Sequence, residues 1–155
     1  MKKLVLITVL ALCSTLLLAN FSLGLSLGQP SGLTGKYQFS ENMAVDAGLA
    51  YSFFWGLSGY YINTDLLYIQ SDLIDLGERY IPVYAGVGVG YLGVAHLQQF
   101  GAYVISARVP LGVYYPFNIN GKMNIEAFLE FVPAFNITPI TNFNVSASIG
   151  ARYVF

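Results

Sequence analysis

Apolar and polar residues alternate one by one along most of this chain, and this alternation strongly limits how the chain can fold. From Phe143 to Phe155 every second residue is apolar, and Asn144, Ser146 and Ser148 are among the residues between them. Successive side chains of a β-strand point to opposite faces, so the pattern predicts a strand with one apolar and one mainly polar face. Eight segments share the pattern: residues 21–28, 33–39, 45–53, 60–68, 81–91, 103–115, 123–131 and 143–155.

The composition argues against an ordinary water-soluble domain. Of the 155 residues, 55% are hydrophobic and only 10% are charged, whereas a soluble domain carries about 25% charged residues. No stretch after residue 19 reaches the roughly 18 unbroken apolar residues that a membrane-spanning helix needs. We therefore expect the chain to cross a bilayer as β-strands.

The first residues have the organisation of a secretory signal peptide. Met1, Lys2 and Lys3 form a basic start, residues 4–18 are almost entirely apolar, and the small Ala19 follows. This predicts a signal peptide over residues 1–19 and one barrel domain over residues 20–155. An uncleaved membrane anchor is the alternative. The single cysteine, Cys13, falls in the predicted signal peptide, so we expect no disulfide or thiolate chemistry in the mature chain.

Short turn signals separate the predicted strands and favour an up-and-down meander. In lipid such a sheet must close, because an open edge would leave backbone groups without hydrogen-bond partners. Eight is an even strand number and that of the smallest common membrane barrel. The predicted fold is therefore all-β, an eight-stranded antiparallel up-and-down transmembrane β-barrel. Pro82 and Pro110 fall inside predicted strands, where we expect a bulge or irregular pairing.

A soluble barrel with its apolar face inward is the structural rival, and side-chain volume argues against it. An eight-stranded barrel has an interior that side chains just fill. The Ser, Gly and Ala residues of one face suit that interior, whereas the Leu, Ile, Val and Tyr residues of the other would overfill it. Aromatic residues also gather at the two ends of the predicted strands, as in the aromatic girdles of membrane barrels.

Most charged residues of the mature chain fall on the predicted interior face. Removal of Lys2 and Lys3 leaves five basic and eight acidic residues, a net charge of about −3 that offers no basic patch for nucleic acid. We expect the interior charges to form a salt-bridge network that plugs the lumen. The predicted network consists of Lys36, Asp46, Asp65, Arg108, Glu126, Glu130 and Arg152.

The turn positions also predict which of these charges face one another. A tight turn centred on Glu41 places Lys36 opposite Asp46, and a turn at residues 55–56 brings Asp65 across from Asp46. A turn near Ile119 places Arg108 opposite Glu130, and Arg152 then lies near Glu126.

Five segments resemble the small bacterial outer-membrane β-barrel proteins of the OmpA/OmpX-like type. They are Leu27–Tyr37, Ile81–Gly88, Ala107–Gly112, Phe128–Pro133 and Ile149–Phe155. The last resembles the signal read by the outer-membrane assembly machinery, with Tyr153 and Phe155 as its aromatic residues. The resemblance covers essentially the whole mature chain and implies a monomeric barrel in the outer membrane of a Gram-negative-type envelope, with both termini in the periplasm.

The resemblance implies a non-enzymatic protein with a structural or surface-contact role that includes adhesion. Its expected partners are outer-membrane lipids, the assembly machinery and an extracellular or host protein, and no cofactor or metal site is expected. The predicted outer loops, which would make surface contacts, are residues 29–32, 54–57, 92–101 and 134–141. The connection at residues 71–79 is predicted on the periplasmic side.

The sequence leaves two alternatives open. A lipid-modifying barrel enzyme needs a serine activated by a base; His96 is the only histidine, and Ser58 or Ser106 could reach it only through folding. A narrow pore is the other alternative, although an eight-stranded barrel has little room for an aqueous channel.

Overall fold

The described residues of the computed structural model form nine antiparallel strands. The structure describes residues 20–54, 57–75, 77, 80–94, 103–119, 121, 123–138 and 141–155. The strands are β1 (Phe21–Gly28), β2 (Ser31–Ser40), β3 (Met43–Phe54), β4 (Leu57–Asp75), β5 (Tyr80–Val94), β6 (Tyr103–Arg108), β7 (Leu111–Ile119), β8 (Met123–Thr138) and β9 (Asn142–Val154). The predicted signal peptide lies outside the described residues.

Strand pairing closes the sheet into a ring. Neighbouring strands pair from β1 to β5, β9 pairs with both β8 and β1, and β5 and β8 are joined through β6 and β7. The short strands β6 and β7 occupy one position together, because each pairs with β5 on one side and β8 on the other. The ring thus has the eight predicted positions, but the predicted strand over residues 103–115 is two strands.

Proline causes the break between β6 and β7. Pro110 has no N–H to donate to a ladder, and the described residues keep contact there through single hydrogen bonds. Gly86 N donates to Pro110 O at 2.8 Å, and Val109 N donates to Pro133 O at 2.9 Å. The irregularity expected at Pro82 is also confirmed. The β4–β5 register shifts between Gln70 and Ile74, so three β4 residues lie opposite this single proline.

Several strands extend into segments that were predicted to be loops. Strand β4 runs through Asp75, since Asp75 still pairs with Tyr80. Strand β8 runs through Thr138, because Asn136 still pairs with Asn142 on β9. Polar composition alone therefore misplaced these strand ends. The backbone ladder continues wherever a partner strand is available, whichever side chains it carries.

The antiparallel order groups the chain connections at two ends of the ring. The terminal end carries Phe21 and Phe155 together with the connections β2–β3, β4–β5 and β7–β8. The distal end carries the connections β1–β2, β3–β4, β5–β6 and β8–β9. The ends of the described strands group the connections as predicted for residues 29–32, 54–57, 92–101 and 134–141 on one side and 71–79 on the other. Within these ranges, residues 55–56, 76, 78–79, 95–101 and 139–140 lie outside the described residues.

Large apolar side chains point outward from every strand of the ring. They remain more than one-third exposed, and one from each strand illustrates the set: Leu25, Leu33, Leu49, Ile62, Val87, Ile105, Leu111, Leu129 and Ile149. The opposite side chains point into the ring and hold the buried charges. The predicted assignment of the apolar face to the outside and of the charged face to the inside is confirmed.

Candidate functional site: a charge network and a distal cavity

All seven charged residues predicted on the interior face are buried inside the ring. None of them exposes more than 8% of its surface. We call Lys36, Asp46, Asp65, Arg108, Glu126, Glu130 and Arg152 together the charge network. Strand alternation explains their common direction, since on each strand they occupy positions of the inward parity.

Arg152 is the centre of one half of the charge network. Its Nη1 lies 3.0 Å from Glu126 Oε1, and its Nη2 forms an ion pair with Asp46 Oδ2. Its Nε and Nη2 also donate to Thr34 Oγ1, at 3.1 Å and 2.7 Å. Glu126 forms an ion pair with a second cation as well, since Lys36 Nζ lies 2.5 Å from its Oε2. These contacts link β9 with β2, β3 and β8.

Arg108 is the centre of the other half. Its Nε lies 2.8 Å from Asp65 Oδ1, and its Nη2 lies 3.4 Å from Glu130 Oε1. Its Nη1 donates to the Tyr61 hydroxyl at 2.9 Å. The Tyr84 hydroxyl donates to Glu130 Oε2 at 2.9 Å. These contacts connect β6, β4, β5 and β8 across the interior.

Three of the four predicted facing pairs have the expected register. Lys36 lies opposite Asp46, Asp46 opposite Asp65, and Glu126 opposite Arg152. Facing positions do not decide every partner, however. Lys36 forms an ion pair with Glu126, and Asp46 forms one with Arg152, because long side chains reach across the ring to strands that are not adjacent.

The fourth predicted register is wrong, although its ion pair is present. The turn between β7 and β8 is centred on Gly121, since Ile119 pairs with Met123. This places Glu130 opposite Gly112, and Arg108 opposite Ala134. Arg108 still reaches Glu130, because its extended side chain spans the offset.

The predicted charge network did not include the aromatic rings that line it. Lys36 Nζ lies 4.1 Å from the ring centroid of Tyr114, and the guanidinium carbon of Arg152 lies 4.0 Å from that of Phe128. Such cation–π contacts add to the ion pairs where water is excluded. Tyr61, Tyr84 and Tyr114 share the inward parity of the charges, which is the signal that identifies them.

Glycine makes the space that this packing needs. A Cβ placed at Gly88 would collide with Asp65 Oδ1 and with the β4 backbone, and one at Gly150 would collide with the Phe128 ring. The small residues of the interior face therefore make room for the large charged and aromatic ones.

The side chains of the described residues leave the distal half of the interior unfilled, so the charge network occupies only the other half of the lumen. A cavity of about 580 Å³ lies there, and we call it the distal cavity. Its apolar lining includes Leu92, Val104, Val132 and Ala134, and it is also lined by Tyr61 and Ser106. None of the described residues that line it carries a charge. By contrast, the space within the charge network is about 30 Å³, about one water molecule.

The remaining predicted site residues lie away from both regions. Phe155 packs against Tyr153 and Phe21, with ring centroids 4.9 Å and 6.2 Å apart, at the terminal end. Phe155 N also donates to Phe21 O at 3.0 Å, which joins the two ends of the chain.

Two of the three residues considered for an enzyme cannot be placed. His96 and the Ser58 side chain lie outside what the structure describes, whereas Ser106 is buried and its Oγ lies 3.5 Å from Gly90 O as a hydrogen-bond donor. The described residues contain no cluster of His, Cys, Asp and Glu that could hold a metal. In the same residues there is no helix long and apolar enough to span a membrane.

Comparison with known proteins gives one informative likeness. No protein-family model matches the chain, and no curated protein matches it. The structure is similar to the N-terminal β-barrel domain of Pseudomonas aeruginosa OprF, with a TM-score of 0.64 and 10% sequence identity. The similarity covers 87% of this chain and 95% of that one. The fold is that of a β-barrel. At this identity the likeness shows the fold alone.

Proposed function

We propose that the chain is an integral outer-membrane β-barrel protein without enzymatic activity, with a structural or surface-contact role. The observation that carries the proposal is the distribution of side chains across the barrel wall. Every strand exposes large apolar residues outward, while the charge network is buried inside. Water favours the reverse arrangement, and contiguous apolar surface on this scale is typical of a surface covered by lipid or by another protein.

The remaining charges fit a membrane position. Among the described residues, those outside the charge network are Glu41, Asp72 and Asp75, all at the terminal end. The outward face between the two ends thus carries no described charge. Lipid tolerates this face, whereas an arginine or lysine at its centre would cost about 2–4 kcal/mol.

Aromatic pairs at both ends support the same position. Tyr115 stacks on Phe117 near the terminal end, and Tyr91 stacks on Tyr103 near the distal end. Membrane barrels carry such residues at the two lipid–water interfaces.

The orientation and the partners follow from this proposal. The terminal end lies in the periplasm, and Tyr153 and Phe155 form the signal for the assembly machinery. The distal connections face outward and contact an extracellular or host protein. The protein is a monomer surrounded by outer-membrane lipid, because its sheet is closed and leaves no strand edge for a second copy.

The charge network makes a conducting pore the weaker alternative. It crosses the interior with ion pairs that link non-adjacent strands. A stable conductance in planar-bilayer recordings would favour the pore over the structural role.

Membrane fractionation combined with a heat-modifiability gel tests the proposal. We expect the protein in the outer-membrane fraction, with a faster-migrating folded band that shifts on boiling. Protease treatment of intact cells should cut only at distal connections. A soluble protein without a heat shift would contradict the proposal, and cleavage at the β4–β5 connection in intact cells would reverse the orientation.

A further inference from the structure

The distal cavity has the size and the lining of a small-molecule site. Ligand pockets commonly enclose about 300–1,000 Å³ and combine apolar walls with a few polar groups. The distal cavity measures about 580 Å³. Val132 and Ala134 form part of its wall on β8, in direct continuation of the inward positions that hold Glu126 and Glu130.

The floor of the cavity is a built polar cluster. Arg108 Nη1 donates to the Tyr61 hydroxyl at 2.9 Å. Gly90 leaves the space for this arrangement, because a Cβ there would collide with both the Tyr61 hydroxyl and Ser106 Oγ. Any larger residue at position 90 would displace the two hydroxyls that line the floor.

The Tyr61 hydroxyl has a donor but no acceptor among the described residues. Its oxygen accepts from Arg108, and the structure gives its own proton no partner there. A hydroxyl that accepts a charge-assisted hydrogen bond is polarised, which strengthens it as a donor. The floor therefore offers one directed donor to a molecule in the cavity.

Asparagines cover the wall nearest the distal end. Asn136 Nδ2 donates to Asn142 Oδ1 at 2.6 Å, and Asn144 Nδ2 donates to Asn136 Oδ1 at 2.9 Å. This amide chain is uncharged. It gives the cavity a polar outer zone above its apolar middle.

The absence of charge in the described lining decides the class of ligand. A charged ligand would lose its hydration without gaining an opposite charge, which is unfavourable. Arg108, which donates to the Tyr61 hydroxyl at the floor, already pairs with Asp65 and Glu130.

We propose that the distal cavity binds a small, uncharged, mainly apolar molecule, such as a medium-chain ester, whose carbonyl oxygen accepts the Tyr61 hydrogen bond. The apolar body lies against Leu92, Val104, Val132 and Ala134. This inference goes beyond the structural role proposed above, because it assigns a ligand to the interior.

A titration with matched probes tests the inference. The mature chain is folded in nanodiscs of deuterated lipid, and methyl resonances of Val, Leu and Ala are followed by NMR. The probes are methyl octanoate, octane, which lacks the acceptor, and octanoate, which carries a charge. We expect saturable shifts at Val104, Val132 and Ala134 with methyl octanoate, weaker binding of octane, and no saturation with octanoate.

Variants separate the cavity from general partitioning into lipid. Tyr61→Phe removes one hydroxyl and should weaken methyl octanoate binding about fivefold, whereas the matched Tyr114→Phe, in the charge network, should leave binding unchanged. Ala134→Phe should abolish binding by filling the cavity. The heat-modifiability gel shows whether each variant is folded. If Tyr61→Phe does not fold, the loss of binding in Ala134→Phe alone distinguishes the cavity from general partitioning into lipid.

Three results would overturn the inference. The first is the absence of saturable shifts in the cavity up to the solubility limit of methyl octanoate. The second is binding that Ala134→Phe does not change. The third is a set of contacts between lipid chains and the cavity methyl groups in the unliganded protein, which would make a membrane lipid the occupant.

Discussion

The two halves of the barrel interior follow the same strand pattern but differ in how they are filled. On β8 the inward residues Glu126 and Glu130 reach cations of other strands, whereas Val132 and Ala134 border the distal cavity. Alternation decides which residues face inward in both halves. The volume and charge of those residues decide whether the interior is filled by a cross-linked plug or retains a cavity.

Removal of Arg152 should produce the largest difference between the halves. Arg152→Ala leaves Asp46 and Glu126 buried without their shared cation, and breaking a buried pair costs about 3–5 kcal/mol. Urea unfolding in lipid vesicles measures this loss. Ser146→Ala, at the lining of the distal cavity, is the control and should change the free energy of unfolding by less than about 0.5 kcal/mol. Equal effects of the two changes would contradict the distinction between the halves.

The outer surface allows a similar comparison between the proposed membrane zone and the hairpin beyond it. Leu25 and Leu73 are 60% and 64% exposed, but Leu25 lies in mid-strand and Leu73 lies in the extended β4–β5 hairpin. Leu25→Arg should lower the free energy of unfolding in vesicles by about 2–4 kcal/mol. Leu73→Arg should have little effect. If both changes were harmless, the outward face would be in contact with water.

Enlarging a small buried residue in each half of the interior tests the difference in packing between the halves. Ala44 is fully buried against Leu67, Ile69 and Tyr84, so Ala44→Leu should cost about 1–3 kcal/mol through overpacking. Ala134 is 7% exposed but borders the distal cavity, so Ala134→Leu should cost less than about 1 kcal/mol. Urea unfolding in lipid vesicles measures the free energy of unfolding of the two variants. A larger decrease for Ala134→Leu than for Ala44→Leu would show that the cavity has no room for the larger side chain.

Neutralising one carboxylate of the charge network should lower the free energy of unfolding less than removing Arg152 does. Glu130→Gln keeps the size of the side chain but removes the charge that Arg108 and Tyr84 share. We expect a loss of about 1–2 kcal/mol, because Asp65 still holds Arg108. An NMR signal of the Arg108 guanidinium should broaden or shift. Unchanged stability and an unchanged Arg108 signal would show that the Arg108–Glu130 pairing is absent.

The sequence pattern predicted much of this arrangement, for a physical reason. Strand alternation fixes the direction of every side chain once the strands are recognised, so the seven network residues could be identified without a structure. Short turns such as the one at residues 41–42 also fix the register, which explains why Lys36 was correctly predicted to lie opposite Asp46 in the ladder.

The wrong predictions concern positions where composition does not determine how the backbones pair. The β7–β8 turn is centred two residues beyond the predicted one, which moved Arg108 four positions along its neighbour. The segment 71–75, which contains Ser71, Asp72 and Asp75, is predicted to be a turn from these polar residues, but it extends β4. The distal cavity was missed because alternation gives the direction of a side chain but not the space that it leaves unfilled.

Spin labels on the outward face test the central claim most directly. Cys13 is the only cysteine and lies in the predicted signal peptide, so single cysteines can be introduced at Leu25, Leu49, Val87 and Leu129, on four different strands. In lipid vesicles all four labels should be accessible to oxygen and protected from a water-soluble nickel chelate, whereas a label at Leu73 should show the opposite. Nickel access at the four positions equal to that at Leu73 would contradict a barrel whose apolar face lies in the membrane.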